Sequence, residues 1–289
     1  MKILSLTDLN EEQYLAAQAL EIRCKADNGL QGHIHWDKSM NYFQSMCHWF
    51  LLYKNEVLIG LLSAFAPTTQ LVEFSGYTLP KARRKGCFTT LLEVASEEAR
   101  NYGYTEMLLI TERSSESGQA FVRQLGATYS NTEFQLRWQP QPESPLPVVL
   151  PHTVRLIPAT LADLEPLTEL SRTIFGGTID EARRLLETTI TTPQLTQYIA
   201  SLDGKSIGMV ATNFVQNDVW IIGLGVCPEY QGRGIGKNIL FQILAILQQS
   251  PAETILIEVD SSNAAALHLY QKSGFTIQMG QDYFRLPLK

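Results

Sequence analysis

The chain has 289 residues, more than one hydrophobic core ordinarily organises, so two domains are expected. Apolar residues make up 45% and charged residues 18%, as in a soluble globular protein; the net charge of −6 argues against a nucleic-acid binder, which usually carries a basic face, and is compatible with a cationic or amine-bearing substrate. Four cysteines, Cys24, Cys47, Cys87 and Cys227, form no C-x-x-C pair, the N-terminus has no signal-peptide core, and no apolar run reaches the ~18 residues of a membrane span, so free thiols and a cytoplasmic setting are expected, with no membrane partner.

Residues 8–27 predict a helix, with Asp8 as N-cap, Glu11 and Glu12 in the first turn and Asn28-Gly29 as its stop. A loop follows, Gly32-His33-Ile34-His35-Trp36. Its H-x-H spacing occurs in metal sites, but no cysteine or carboxylate stands at ligand spacing, so no metal is expected. Residues 39–48 predict a second, shorter helix. Strands are expected over 49–53 and 57–65, joined by a short hairpin connection, and over 71–79. After a turn at Pro80, a helix over 89–102, a strand over 106–111, a helix over 116–125 and a strand over 128–138 complete the half. Four prolines between Gln139 and Pro147 fix φ and donate no hydrogen bond, which marks an extended linker over 139–151 between a unit at 1–138 and a unit at 152–289.

The same order then repeats. A strand over 154–157, helices over 161–174 and 178–189 (Thr178 as cap), strands over 195–202, 206–214 and 219–226, a helix over 237–249, a strand over 255–260, a helix over 263–273 and end strands over 275–286 are predicted. Gly60 and Gly208, Pro80 and Pro228, Gly86 and Gly234, and Gly126 and Gly274 all stand 148 residues apart. A constant offset across four punctuating residues indicates tandem duplication of one α/β unit.

In the second copy, Gln231-Gly232-Arg233-Gly234-Ile235-Gly236-Lys237 joins an apolar strand to an apolar helix. Glycines allow positive φ and close backbone approach, and the first helical amides, lacking intrahelical acceptors, make an anion site with the helix dipole. Arg233 and Lys237 add full positive charge. A Walker loop requires Ser or Thr after Gly236-Lys237, where Asn238 stands; the dinucleotide fingerprint requires a glycine where Ile239 stands. The turn resembles instead the Q/R-x-x-G-x-G/A motif of the GNAT family of N-acetyltransferases, with Gln231, Gly234 and Gly236 at its fixed positions. Asn263-Ala-Ala-Ala266-Leu-His-Leu269-Tyr270-Gln-Lys-Ser-Gly274-Phe275 resembles the family's N-x-x-A-x-x-L-Y-x-x-x-G-F. The resemblance covers the chain twice. It implies an α/β fold of two tandem GNAT (acyl-CoA N-acyltransferase) units, each a mixed, mostly antiparallel sheet flanked by helices. The tandem form resembles the mycothiol-synthase type, in which the C-terminal half is the active one.

By this resemblance acetyl-CoA is the co-substrate and a primary amine of a small molecule or peptide the acceptor. The turn, Gln231 to Lys237, takes the pyrophosphate. Leu224 and Val226 pair through their backbones with the pantetheine arm, the Val226 amide polarises the thioester, Asn263 contacts CoA, and Tyr270 serves the leaving thiolate. The general base stays open between Glu258, Asp218 and a water. The first copy departs from the pattern: Arg83 and Gly86 are kept, but Phe88 stands at the last Gly/Ala position, Ser115 where Asn263 stands and Val122 where Tyr270 stands. That half is expected to be structural and acceptor-shaping, with the second half binding CoA. The rival from another class is a non-catalytic CoA-binding sensor or interaction protein.

Overall fold

The computed structural model describes residues 1–34, 36, 38–140 and 154–288. His35 and nearly all of the expected linker therefore lie outside the described residues, Gln139 and Pro140 excepted. The first copy comprises β1 (Lys2–Leu6), α1 (Glu11–Asn28), β2 (Trp49–Lys54), β3 (Val57–Phe65), β4 (Leu71–Thr78), α2 (Cys87–Asn101), β5 (Glu106–Glu112), α3 (Glu116–Gln124) and β6 (Thr128–Trp138). The second comprises β7 (Arg155–Pro158), α4 (Leu164–Phe175), α5 (Ile179–Thr191), β8 (Leu195–Leu202), β9 (Lys205–Val215), β10 (Asp218–Val226), α6 (Ile235–Leu247), β11 (Thr254–Asp260), α7 (Ala264–Lys272) and β12 (Phe275–Pro287). Val57 and Lys205, Cys87 and Ile235, Glu106 and Thr254, and Glu116 and Ala264 open matching elements, each pair 148 apart. The offset read from glycines and prolines is therefore that of the elements themselves.

The compact units are drawn differently from the sequence halves. Unit 1 is Met1–Glu133 with Met279–Lys289; unit 2 is Phe134–Gln278. Both last strands account for the difference. The Gln281–Pro287 stretch of β12 pairs antiparallel with β5, inside unit 1. The Phe134–Trp138 end of β6 belongs to unit 2, where Leu136 is fully buried and Trp138 Nε1 donates to the Ser273 carbonyl at 2.8 Å. Each unit's sheet is mixed: unit 1 runs β1-β2-β3-β4-β5-β12 and unit 2 runs β6-β11-β10-β9-β8-β7. The parallel pairs whose registers define the cleft are β4–β5 and β10–β11.

Both units bury their sheets on two faces. In β2, Phe50 and Leu52 pack towards α2, whereas Leu51 packs towards α1 with Ala17 and Leu20, as strand alternation requires. In unit 2, Val219, Ile221 and Val226 of β10 join Ile239, Ile243 and Leu244 of α6; the other face carries Leu164, Leu167 and Leu170 of α4. No helix among the described residues is long and apolar enough to cross a membrane.

Two local expectations are corrected. Asp8 does not cap α1. Asn10 accepts from the Gln13 amide at 2.9 Å, while Gln13 accepts from the Asn10 amide at 3.0 Å. Asp8 pairs instead with Lys38 at 2.6 Å. Residues 39–48 form turns, not a helix. Buried Asn41 is the physical reason: its side chain accepts from the Ala66 amide at 2.6 Å and donates to the Ala64 carbonyl at 3.3 Å, bonds that fasten the segment to the sheet in place of an i→i+4 ladder.

Candidate active site

The parallel partners β10 and β11 pair from Asp218↔Thr254 to Ile221↔Ile257 and then part. The pairing of β10 with β9 slips between Ile222 and Gly225, where Gly223 adopts φ 58°. This bulge bends β10 away from β11. The Cys227 amide donates to the Ile207 carbonyl of β9 at 2.9 Å, so by alternation the backbone groups of Leu224 and Val226 point into the opened gap. One is already taken: the Val226 carbonyl accepts from Gln231 Nε2 at 2.9 Å. Gln231 thus ties the strand end to the turn, and the Leu224 backbone with the Val226 amide remains for an added strand.

The turn itself rests on two left-handed glycines, Gly232 (φ 73°) and Gly234 (φ 77°). Gly234 is the N-cap of α6 and offers no side-chain cap, so the amides of Ile235, Gly236 and Lys237 open the helix with no intrahelical acceptor. The first helical bond is Asn238 N to Gly234 O, 3.0 Å. The helix therefore starts at Ile235, two residues earlier than the pattern predicts. Gly236 lies inside it; a Cβ there would only touch Leu269 and Val226 at 3.8 and 3.9 Å. Arg233 and Lys237 are exposed, their cations 5.5 Å from the Tyr230 ring centre and 5.2 Å from that of Phe241.

Unit 1 repeats much of this. Arg84 (φ 57°) and Gly86 (φ 76°) take the left-handed positions, Arg83 Nε donates to the Thr78 carbonyl at 3.1 Å, and β4 parts from β5 after Phe74↔Leu109. The Phe88 ring packs edge-on against Phe121 at 5.1 Å, so it is turned into its own unit. What differs lies beyond the turn. The loop after α1 is fastened where β4 and β5 diverge: Glu112 accepts from the Gln31 and Gly32 amides at 2.8 and 2.7 Å, and Tyr77 donates to the Gly32 carbonyl at 3.0 Å.

In unit 2, Asn263 caps α7 through an acceptor bond from the Ala266 amide, 3.1 Å. Tyr270, 5% exposed, sits in the core shared with α6, its ring 5.9 Å from that of Phe275. Its hydroxyl has no hydrogen-bond partner among the described residues, and burial pushes its pKa up to about 12, so it carries its proton throughout the neutral range.

The two carboxylates considered as base fall far apart. Asp218 opens β10 and pairs with Thr254; at ~3.3 Å per residue it stands roughly 26 Å along the strand from Val226. Glu258 is exposed and lies one residue past the last β10–β11 pair. Ile255, Ile257 and Val259 point into the α6 core, so Glu258 and Asp260 share the opposite face, that of α4.

Sequence reasoning missed Gly225. A Cβ at this position would lie 2.4 Å from Ile174 and 2.6 Å from the Phe175 ring. The last turn of α4 thus rests on bare strand backbone, between Leu224 and Val226. A glycine inside an apolar strand was the available signal, since such glycines mark close approach.

A model of the Acetyltransferase (GNAT) family matches residues 9–127 and 164–275, most of the chain. Among curated proteins, the ribosomal protein bS18-alanine N-acetyltransferase of Escherichia coli is 34% identical over 82 residues, covering 28% of this chain and 52% of that one. The chain thus spans about half of that relative's length. The mycothiol acetyltransferase of Propionibacterium freudenreichii is 24% identical over 213 residues, covering 68% of this chain and 65% of that one. Among solved structures, a tandem GNAT protein from the clavulanic acid biosynthesis pathway is similar with a TM-score of 0.74 over 100% of this chain and 99% of its own, at 13% identity. A GCN5-related N-acetyltransferase from Sphaerobacter thermophilus gives 0.75 over 99% and 96%, at 14% identity. At such identities the structures speak to fold alone, and they agree with two mixed sheets of GNAT type. With its domain matched twice, this chain belongs to the GNAT family of N-acetyltransferases, in the tandem form.

Proposed function

We propose that unit 2 moves an acetyl group from acetyl-CoA to the primary amine of a small molecule or peptide, by direct attack within a ternary complex. The observation that carries this reading is that the opened edge of β10 leads into the uncapped start of α6, with an unpartnered, protonated Tyr270 in the core that both elements share. The pyrophosphate lies on the amides of Ile235, Gly236 and Lys237 beside the Arg233 and Lys237 cations. The pantetheine arm pairs with the Leu224 backbone as an added strand, and the Val226 amide polarises the thioester carbonyl. Asn263, whose Oδ1 serves the helix cap, offers its Nδ2 to CoA.

Glu258 is the base in this reading. Its strand position puts it beside the gap and on the face away from Tyr270, whereas Asp218 is at the wrong end of β10. The neutral amine attacks the carbonyl carbon, a C–N bond forms, the C–S bond breaks, and Glu258 takes the ammonium proton. Tyr270 donates to the departing sulfur. As an acid near pKa 12 it is about three orders of magnitude weaker than a thiol of ~8.5, so it acts chiefly by hydrogen bonding while negative charge develops on sulfur.

Incubation of the intact chain with acetyl-CoA and an amine library, read by mass spectrometry, tests the reading. An acetyl mass shift on some amine supports the transferase. Tight CoA binding with no amine modified supports the rival, a CoA-binding sensor.

A further inference from the structure

The end of α4 lies on β10 at one point, and that point adjoins the backbone groups assigned above to the thioester. Ile174 and Phe175 occupy the space that a side chain at Gly225 would need. Yet Phe175 remains 54% exposed. One part of its ring touches strand backbone while the rest is open. Gly176 and Gly177 follow at φ 78° and 81°, turning the chain towards α5 without adding any side chain over the ring. A wall around a buried acetyl methyl would be enclosed; a half-open ring is placed to be covered by something arriving from solvent.

The direction of arrival is set by the sheet. Tyr270 belongs to the α6 core on one face, and Ile174 to the α4 core on the other. A leaving sulfur served by Tyr270 and a nucleophile passing Phe175 therefore reach the carbonyl from opposite faces of the sheet. Exposed Glu258 shares the Phe175 face. A carboxylate and an open phenyl ring on one face of the sheet together attract an ammonium group and offer an apolar surface to what carries it.

Resting on the reading of unit 2 as an amine acetyltransferase, we propose that Ile174 and Phe175 form its acceptor-side wall, and that the preferred acceptor is a primary amine on an apolar or aromatic body. Spermidine and glucosamine, which carry less continuous apolar surface beyond the reacting amine, gain less from burial against the ring.

The test uses the full chain, acetyl-CoA and three acceptors: phenethylamine, spermidine and glucosamine. Wild-type kcat/KM is highest for phenethylamine, by about tenfold or more. Phe175→Ala lowers that value about tenfold, through KM, and leaves the KM for acetyl-CoA unchanged; Phe175→Leu retains part of the preference. The exposed position of the ring keeps both variants folded, which their Tm checks. A preference for spermidine or glucosamine overturns the proposal, as does a Phe175→Ala variant that accepts butyryl-CoA while its acceptor ranking is unchanged. Acetylation of amines without any ranking sinks this inference alone; no acetylation of any amine sinks the transferase reading with it.

Discussion

Tyr270 carries two demands in one side chain. Its ring closes the core against α6, and its hydroxyl is left without a partner. Removing only the oxygen separates them: Tyr270→Phe keeps the packing and is expected to lower kcat by roughly 10²-fold with little change in CoA affinity. Pre-steady-state and steady-state assays check this, and unchanged turnover would end the assigned role. The raised pKa also fixes a pH signature. A free phenol ionises near ~10, but this one keeps its proton to about 12, so no fall of kcat from loss of the donor is expected at pH 10. His48 makes a second prediction. Its Nδ1 faces the Asn41 amide nitrogen at 2.9 Å, which places its proton on Nε2, buried and without an acceptor. Burial lowers its pKa to about 4. Unfolding restores a value near ~6.5, so the stability present above pH 6.5 declines as pH falls through 4. Urea midpoints at pH 7 and 5 measure the decline, and His48→Gln flattens it.

At the scale of the element, the strand-to-helix turn of unit 2 is tested by substitutions that act on its amides. Gly234→Pro imposes a negative φ where 77° is required, and Gly236→Glu brings a carboxylate to the helix start; each is expected to abolish activity. Gly86→Pro, at the matching place in unit 1, is expected to cost stability only. Activity that survives Gly236→Glu and is lost with Gly86→Pro would assign catalysis to the other unit. The turn was legible in the sequence because its geometry is written in glycines, whose left-handed φ few other residues adopt. Thr178 and Asn263 were legible as caps for a similar reason: a short polar side chain bonds an amide two or three residues on. Asn41 obeys the same chemistry but bonds across 25 residues to Ala66, and nothing local distinguishes it from a helix residue. Gly225 and Phe175 are 50 positions apart in sequence, and only the packing of α4 on β10 makes them neighbours.

For the whole molecule, the duplication is easier to read than its symmetry of use. The two copies share element order, turn geometry and the parting of the parallel pair, but differ in what stands beyond the turn: Tyr270 and Gly225 in unit 2, Val122 and Tyr77 in unit 1. In unit 1 Tyr77 and Glu112 hold the loop of Gly32 where β4 and β5 diverge. Titration calorimetry of the intact chain is expected to find one tight CoA per chain, removed by Gly236→Glu. Two equivalent sites would show that unit 1 binds the donor as well.

The allocation of the last strand has a genetic consequence. The residues from Met279 onward are translated after the whole of unit 2 yet belong to unit 1, where Phe284 is part of the core and Asp282 accepts from Thr132 and Gln119 at 2.6 and 2.9 Å. The ribosome must therefore pass through all of unit 2 before the first unit can close its sheet. A premature stop codon just before Met279 would be expected to harm the beginning of the molecule, and a gene cut in two at the linker would yield products that fold only when expressed together.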